Sequence, residues 1–443
     1  MSKYSKEDIM RMGEEEDVEF IRLQFTDIFG VLKNVAITAS QLKRALNNQC
    51  MFDGSAIGGF VRIEESDMYL YPDLDTLEIF PWRPQQGKVA RLICNVRFPG
   101  GGIFEGDSRY ILQKTLQEIK EYGYTFDVGP ECEFFLFQCD ENGLPTTQTY
   151  DKAGYFDLGP LDLGENARRD MVLNLEDMGF VIEASHHEMA CGQHEIDVGY
   201  EEALVTADNI MTFKLTVKSI AKRHGLHATF MPKPVYGAHG SGMHVNMSLS
   251  QNGKNIFGDK KDPCGLSKTA YFFMAGILQH AKGMSLITNP LVNSYKRLVP
   301  GFEAPVYIAW SAVNRSPLIR VPASGPENAR IELRSPDPCC NPYLTLALCL
   351  AAGLDGIKKK LEPPKSIDQN IFEMTEAQRA QLGISRLPLT LGEAIEEFEK
   401  DEFIKGVLGT HITEQYLKQK KAEWSAYQTQ VSDWEVGQYL MKF

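Results

Sequence analysis

Val128-Gly-Pro-Glu-Cys-Glu-Phe-Phe-Leu-Phe137 is the stretch on which the reading of this chain turns. It is almost wholly apolar, as a buried strand is, yet it carries Glu131 and Glu133 two residues apart. Side chains alternate faces along a strand, so both carboxylates point the same way. Burying two like charges side by side costs several kcal/mol unless something cationic neutralises them. A hard divalent metal suits that role, because it takes carboxylate oxygens and bridges to phosphates. The plainer alternative is a pair of solvent-facing acids on an edge strand. The Phe-Phe-Leu-Phe run weighs against it, although one motif does not settle the matter.

The 443 residues suffice for two or three domains with sizeable cores. With 43% hydrophobic and 24% charged residues, the composition is that of an ordinary soluble protein, and no apolar run is long enough to span a bilayer. The opening Met-Ser-Lys-Tyr-Ser-Lys-Glu-Asp has no apolar core behind its charges and does not read as a secretion signal. Nine cysteines, with no CxxC pair or zinc-like spacing, favour reduced thiols and a cytoplasmic location. A net charge of −13 argues against nucleic acid or anionic membrane as the main partner. Arg315, Arg320, Arg330 and Arg334 nevertheless cluster behind Lys296 and Arg297, which points to an anionic ligand there. Any single one of these arginines would equally serve in a surface ion pair.

Alternation and turn signals divide the chain in two. Lys6 to Glu15 reads as an amphipathic helix, Phe20–Phe25 and Val31–Ile37 as strands across the turn Thr26-Asp-Ile-Phe-Gly30, Ser40–Leu46 as a short helix and Val89–Val96 as a strand. The glycine-rich joint Phe98–Gly106 marks a boundary, giving expected domains 1–103 and 104–443. Beyond it, acidic strand-like motifs alternate with helices such as Arg109–Tyr122 and Ala167–Met178. Asn341–Gly353 is a strongly apolar helix with proline in its first turn, and the chain from Thr390 onward is helical and charged.

Three further segments place charged or metal-binding groups at same-face spacing. In Val181–Asp197, a two-residue turn at Cys191-Gly192 would set Glu188 opposite Glu195, about 4.5–5.5 Å apart at Cβ. That register again needs a cation; another register would expose the acids, and this segment alone leaves both open. In Gly240-Ser-Gly-Met-His-Val-Asn-Met-Ser-Leu249, the glycines suit a close backbone approach, and His244, Asn246 and Ser248 share a polar face. A lone histidine is more often a satisfied core residue than a ligand, but its place on that face strengthens its case. In Ala329–Arg334, Arg330, Glu332 and Arg334 share a face, either as a self-neutralising ladder or as a metal-binding glutamate beside phosphate-gripping guanidiniums. The phosphate-cradling GxxxxGK[ST] and GxGxxG loops are absent, as is GxSxG. Glu131, Glu133, Glu188, Glu195, His244 and Glu332 would support two or more Mg²⁺ or Mn²⁺ ions, which suits phosphoryl transfer from ATP to an anionic substrate.

In this order, Met51-Phe-Asp-Gly-Ser55, Gly129-Pro-Glu-Cys-Glu133, Ala184-Ser-His-His-Glu188, Gly240-Ser-Gly-Met-His244, Asn293–Gly301 and Asn314-Arg-Ser-Pro317 resemble the motifs of bacterial type I glutamine synthetases. The resemblance runs almost the full chain. It implies an α+β fold: a small N-terminal β-grasp-like domain and a large C-terminal catalytic domain built on an antiparallel sheet with helices. It also implies ATP-dependent ligation of ammonia to L-glutamate through γ-glutamyl phosphate, in nitrogen assimilation, and a dodecamer of two stacked hexamers with active sites between subunits.

Residue by residue, the resemblance assigns Glu133, Glu188 and Glu195 to the metal that organises glutamate and ammonia, and Glu131, His244 and Glu332 to the metal on the ATP phosphates. Arg297, Arg334 and Gly240 fall at glutamate-side positions and Arg315 at the transferring phosphate. Arg320, Glu183, Tyr200 and Ser248 fall at nucleotide positions. Tyr155 matches an ammonium-site tyrosine, Asp53 the base that deprotonates ammonium, and Glu303 the flap glutamate that shields the intermediate. Arg62 matches a residue tied to glutamine feedback. Phe372 stands where adenylylated relatives carry the modified tyrosine, so the chain resembles the non-adenylylated, feedback-inhibited alpha subtype, some of whose members bind nitrogen-regulatory repressors. Two departures are His239 before Gly240 and Ala56 after Ser55. A γ-glutamyl–amine ligase of the same superfamily is the rival reading; Asp53, Tyr155 and Glu303 together favour ammonia.

Overall fold

The computed structural model describes residues 3–61, 66–84 and 86–443. Arg62 therefore lies outside the described residues. The chain opens with α1 (Lys6–Glu15), started by a capping box in which Ser5 and Asp8 satisfy each other's backbone N–H. Strand β1 (Val18–Thr26) pairs antiparallel with β2 (Leu32–Thr38), and the short helix α2 (Leu42–Leu46) follows. Then come β3 (Cys50–Asp53), β4 (Asp67–Pro72), β5 (Glu78–Ile79) and β6 (Lys88–Arg97), giving the order β2-β1-β6-β4-β3 with β5 beside β6. Strands β1 and β6 run parallel, so the chain between them crosses over the sheet; this is the grasp arrangement.

The large unit carries α3 (Ser108–Lys120), β7 (Tyr124–Cys139), β8 (Pro145–Thr149), α4 (Glu165–Asp177), β9 (Ile182–His187), β10 (Gln193–Val198), β11 (Glu201–Glu202), α5 (Ala203–Arg223) and β12 (Leu226–Thr229). After these come β13 (Met243–Gln251), β14 (Lys254–Asn255), α6 (Lys268–Thr288), α7 (Ser294–Arg297), β15 (Tyr307–Ile308), β16 (Trp310–Ser311), β17 (Ile319–Arg320), β18 (Ile331–Leu333) and α8 (Pro342–Lys359). The chain ends with α9 (Glu376–Gln381), β19 (Ser385–Arg386), which pairs with β15, and then α10 (Leu391–Lys400), α11 (Glu402–Gln428) and α12 (Asp433–Tyr439). Strand order in the large sheet is β16-β17-β18-β13-β7-β10-β9, antiparallel except for the parallel pair β16–β17.

Strand β7 lies at the centre, and its two faces have opposite characters. Phe126, Val128, Cys132, Phe134 and Leu136 enter the main core, on the side covered by helices. Glu131 and Glu133 stand on the other face, with Phe135 and Phe137 beyond them in a small separate cluster. Helices α6 and α8 cross so closely that a Cβ on Gly276 would lie 2.0 Å from the Ala352 carbonyl oxygen. The two units are latched at the α8 N-terminus. Asn341 caps the helix by accepting from Tyr343 and Leu344, and its Nδ2 donates to the carbonyls of Asp27 and Ile28 at 3.0 and 3.3 Å. Gly30, at φ 81°, brings the β1–β2 turn against Asn341, where a Cβ would meet the Asn341 Cα at 3.0 Å.

Candidate active site

Neighbouring strands surround the same-face pair on β7 with more donors. Glu131 is paired with His244 on β13 and with Asp197 on β10; Glu133 is paired directly with Glu195. His244 Nδ1 lies 3.1 Å from Glu131 and 3.6 Å from Glu332 on β18, and Asn246 Nδ2 donates to Glu131 at 2.9 Å. Burial alone would raise the Glu131 carboxyl, but the hydrogen bond and charge of His244, with Asn246, outweigh it and hold it at about 2. Glu133 is pushed the other way, up to about 7, by burial first and then by the charge of Glu188. Glu195 is raised well above the ordinary range by burial and then by Glu133. Asp197 rises to about 7 through burial and Glu131.

The β9–β10 hairpin has a different register from the one expected. The ladder pairs His187 with His194 and His186 with Glu195, so Glu188 faces Gln193 rather than Glu195. A turn does form, with the Gln193 N–H donating to the Ala190 carbonyl. Yet the Ala190 N–H donates to the Gln193 side-chain Oε1, leaving the Gln193 carbonyl for the Glu188 N–H at 2.7 Å. A side-chain amide thus replaces one backbone partner and shifts the ladder by two residues. An even shift preserves facing: Glu188 and Glu195 stay on one face but become diagonal, with His186 at 3.4 and 3.3 Å from them. Gln193 Nε2 donates to Glu133 at 2.9 Å, and so does the Gly242 N–H.

Three donor groups result, each with ligand atoms within 4.8 Å of one another: Glu131, His244 and Glu332; Glu133, Glu195 and His244; and His186, Glu188 and Glu195. Carboxylates this crowded, two of them raised for want of neutralisation, fit hard divalent cations. The expected trio Glu131–His244–Glu332 is brought together as one group. Glu133, Glu188 and Glu195 divide between two groups that share Glu195.

These residues line a cavity of about 390 Å³ together with Tyr155, Gly240, Arg297, Glu303, Arg315, Arg320 and Arg334. Arg320 Nη1 meets Glu332 at 2.6 Å, and Arg334 Nε meets it at 3.2 Å while also donating to the Arg315 carbonyl. Arg297, on α7, is buried and donates to the carbonyls of Ser335, Pro336 and Arg334. It approaches the Gly240–Gly242 loop so closely that a Cβ on Gly242 would lie 2.6 Å from Nη2, which is why glycine stands there. Tyr155 stacks on Phe156 at 4.1 Å, and both rings present themselves to the edge of His186. Glu303 has φ 54° on the loop following Gly301, and His239 packs edge-on against Phe302 at the same rim.

Other residues singled out in the sequence lie elsewhere. Ser248 is four residues beyond His244 on β13, Tyr200 packs over Gly129, and Glu183 is exposed on β9. All three lie off the cavity, on the Glu131 side. Asp53 ends β3 in the small domain, exposed, and its carboxylate accepts from the Ser55 hydroxyl and N–H, which hold it below its ordinary value. It does not line the cavity. Gln193, His186 and Asp197 were missed as site residues. Alternation from Glu195 puts Gln193 and Asp197 alike on its face, but nothing in the pattern says that the Gln193 amide serves Ala190 and Glu133.

The family model described as glutamine synthetase, beta-Grasp domain, matches residues 17–99, and that for glutamine synthetase, catalytic domain, matches residues 105–439. A Clostridium saccharobutylicum protein named glutamine synthetase is 64% identical over 443 residues, covering 100% of both chains. A Staphylococcus aureus (strain N315) protein of the same name is 58% identical over 441 residues, 99% of each. Among solved structures, one described as a GmaS/ADP complex superposes with TM-score 0.89 at 34% identity, covering 98% of this chain and 99% of that one. Plasmodium falciparum glutamine synthetase superposes with TM-score 0.87 at 26% identity, covering 99% of each.

Proposed function

The chain belongs to the glutamine synthetase family, and we propose that its cavity ligates ammonia to the γ-carboxylate of L-glutamate, with ATP forming γ-glutamyl phosphate first. The observation that carries this reading is the division of the β7 pair: Glu131 belongs to one donor group and Glu133 to another, inside a single arginine-lined cavity. Two metal groups a residue pair apart suit a phosphoryl donor that meets its acceptor between them. Mg²⁺ or Mn²⁺ held by Glu131, His244 and Glu332, and by Glu133, Glu188 and Glu195, would neutralise phosphate and carboxylate charge.

The chain's own residues do the rest. A carboxylate is a poor electrophile, and phosphorylation gives it a leaving group. Arg315 offers guanidinium charge where the transferring phosphoryl group becomes more anionic, and Arg297, Arg334 and the Gly240 loop hold the glutamate. Arg320 faces the nucleotide side, where Glu183 on β9, Tyr200 just after β10 and Ser248 on β13 extend the site. Tyr155 presents an aromatic face to ammonium, Glu303 covers the intermediate from water, and Asp53 takes the proton that ammonium loses before attack.

Because Asp53 lies off the cavity of its own subunit, the reading includes an oligomer that brings a neighbour's Asp53 to each site. A dodecamer of two stacked hexamers is the proposed form. Exposed Trp434, Leu440, Met441 and Phe443 at the C-terminus support self-association. Domains 1–103 and 104–443, a cytoplasmic location, and the non-adenylylated, feedback-inhibited alpha subtype with Phe372 in place of tyrosine complete the proposal, as does contact with nitrogen-regulatory repressors. No helix among the described residues is long and apolar enough to cross a membrane. Turnover with glutamate, ATP and Mg²⁺ should prefer ammonium over ethanolamine and polyamines; preference for an organic amine would transfer the chain to the γ-glutamyl–amine ligases.

A further inference from the structure

A second cavity, of about 520 Å³, lies in the cleft between the small and large domains, and its charge is opposite to that of the catalytic one. Arg22, Arg83, Lys214, Lys218 and Lys420 line it, and no aspartate or glutamate does. Lys420 is offset by Glu423 at 2.8 Å. Among the described residues, the other four make no ion pair. In a chain with 59 acidic and 46 basic residues, four uncompensated cations around one space run against the composition.

The chain places them there in two ways. Arg22 and Gln24 share the face of β1 that turns away from the small domain's core, where Ile21 and Leu23 are buried. Lys214 and Lys218 stand four residues apart on α5, a like-charge spacing that weakens a helix by itself. Their repulsion registers in both pairs. Arg22 is held below its ordinary value by burial and then by Arg83, and Lys218 by burial and then by Lys214. The physics that calls for a cation between Glu131 and Glu133 calls for an anion here.

Aromatic rings, among them Phe80, Trp82 and Phe230, form part of the remaining walls, beside aliphatic and uncharged polar residues. Phe80 stacks on Trp82 at 4.7 Å, and the Lys218 ammonium lies 5.7 Å from the Phe230 ring centre. A bare inorganic anion would leave these rings unused. We propose that the interdomain cavity binds a multiply charged organic anion with a flat apolar body, its charges against Arg22, Arg83, Lys214 and Lys218 and its body against Trp82 and Phe230. Such a ligand spans both domains, tying the one that carries Asp53 to the one that carries the catalytic cavity.

The test titrates trimesate, a flat tricarboxylate, into the full-length enzyme in its native assembly. ADP and Mg²⁺ are present to occupy the catalytic cavity. Tryptophan fluorescence and the thermal midpoint are followed together. A saturable change in both is expected, with benzoate, which carries one charge, binding at least about tenfold more weakly. Arg22→Gln and Lys218→Gln should each raise the trimesate Kd about tenfold while leaving ligase turnover unchanged, since neither residue touches the catalytic cavity. Trp82→Phe should remove the optical signal but keep the thermal one. Absence of saturable binding in the native assembly would overturn the proposal, as would a Kd unmoved by both charge substitutions, or equal binding of trimesate and its neutral trimethyl ester.

Discussion

Replacing Glu133 by glutamine should stabilise the metal-free protein above neutral pH, although it removes a site residue. Glu133 is 8% exposed and stands opposite Glu195 in the ladder. Burial and the charge of Glu188 raise it from 4.5 to about 7. A gap of that size corresponds to about 3 kcal/mol, at about 1.36 kcal/mol for each tenfold change in proton affinity. Below pH 4.5 the carboxyl is protonated in both folded and unfolded chains, and there is no penalty. As pH rises toward 7 the unfolded chain has released a proton that the folded one keeps, so stability falls. Above that point the loss is complete. Glutamine never charges, and its amide oxygen still accepts from Gln193 and Gly242. With an unfolding entropy of about 2.1 cal/mol/K per residue, about 3 kcal/mol amounts to about 3 °C for a chain of this length. Differential scanning fluorimetry in EDTA should therefore show Glu133→Gln melting higher than wild type at a pH of about 8 and level with it at about 4. Saturating Mg²⁺ should reverse the order, because the wild type gains a ligand that the variant binds poorly. A variant that melts no higher than wild type in EDTA at the alkaline pH would show that Glu133 carries no such penalty, and so would an equal gain at both pH values.

Asp53→Ala should impair ammonia use more than γ-glutamyl phosphate formation; equal loss in single-turnover measurements of the two half-reactions would count against its role as base. Gln193→Leu strands the buried Ala190 N–H and withdraws a donor from Glu133, a loss of about 1–3 kcal/mol. Its metal-activation constant should rise, and a variant activated by Mg²⁺ at wild-type concentrations would contradict the part given to this amide. Burial alone would lower His280, but Asp401 at 2.9 Å and Asp355 at 3.2 Å outweigh it and raise the ring above 6.5. Its stabilisation is present below 6.5 and fades as pH rises through the raised value, so His280→Gln should flatten the thermal midpoint across that interval.

Much of the site was legible because it violates strand chemistry. Acids at same-face spacing in an apolar strand gave Glu131 and Glu133, and alternation gave His244 and Glu332; the ladder gathers these into one cavity. The hairpin register was not legible. A polar/apolar pattern cannot say that the Gln193 side chain will take the Ala190 N–H in place of a backbone carbonyl. The pattern did fix parity, so the shift by two left Glu188 and Glu195 facing the same way. Asp53 illustrates a different limit, because its motif is local whereas its distance from the cavity depends on how whole domains are placed. The Asn341 latch onto Asp27 and Ile28 is equally remote, joining positions more than three hundred residues apart. The basic cleft was hidden for the same reason: Arg22 and Lys218 are unremarkable in the sequence until two domains bring them to one space.

The central step is the activation of glutamate by phosphorylation before ammonia attacks. Glutamate labelled with oxygen-18 in its γ-carboxylate, incubated with ATP, Mg²⁺ and ammonium, tests this directly. Mass spectrometry of the released phosphate should find one labelled oxygen transferred from glutamate for each glutamine formed. Phosphate that carries no glutamate oxygen, with glutamine still being made, would contradict it.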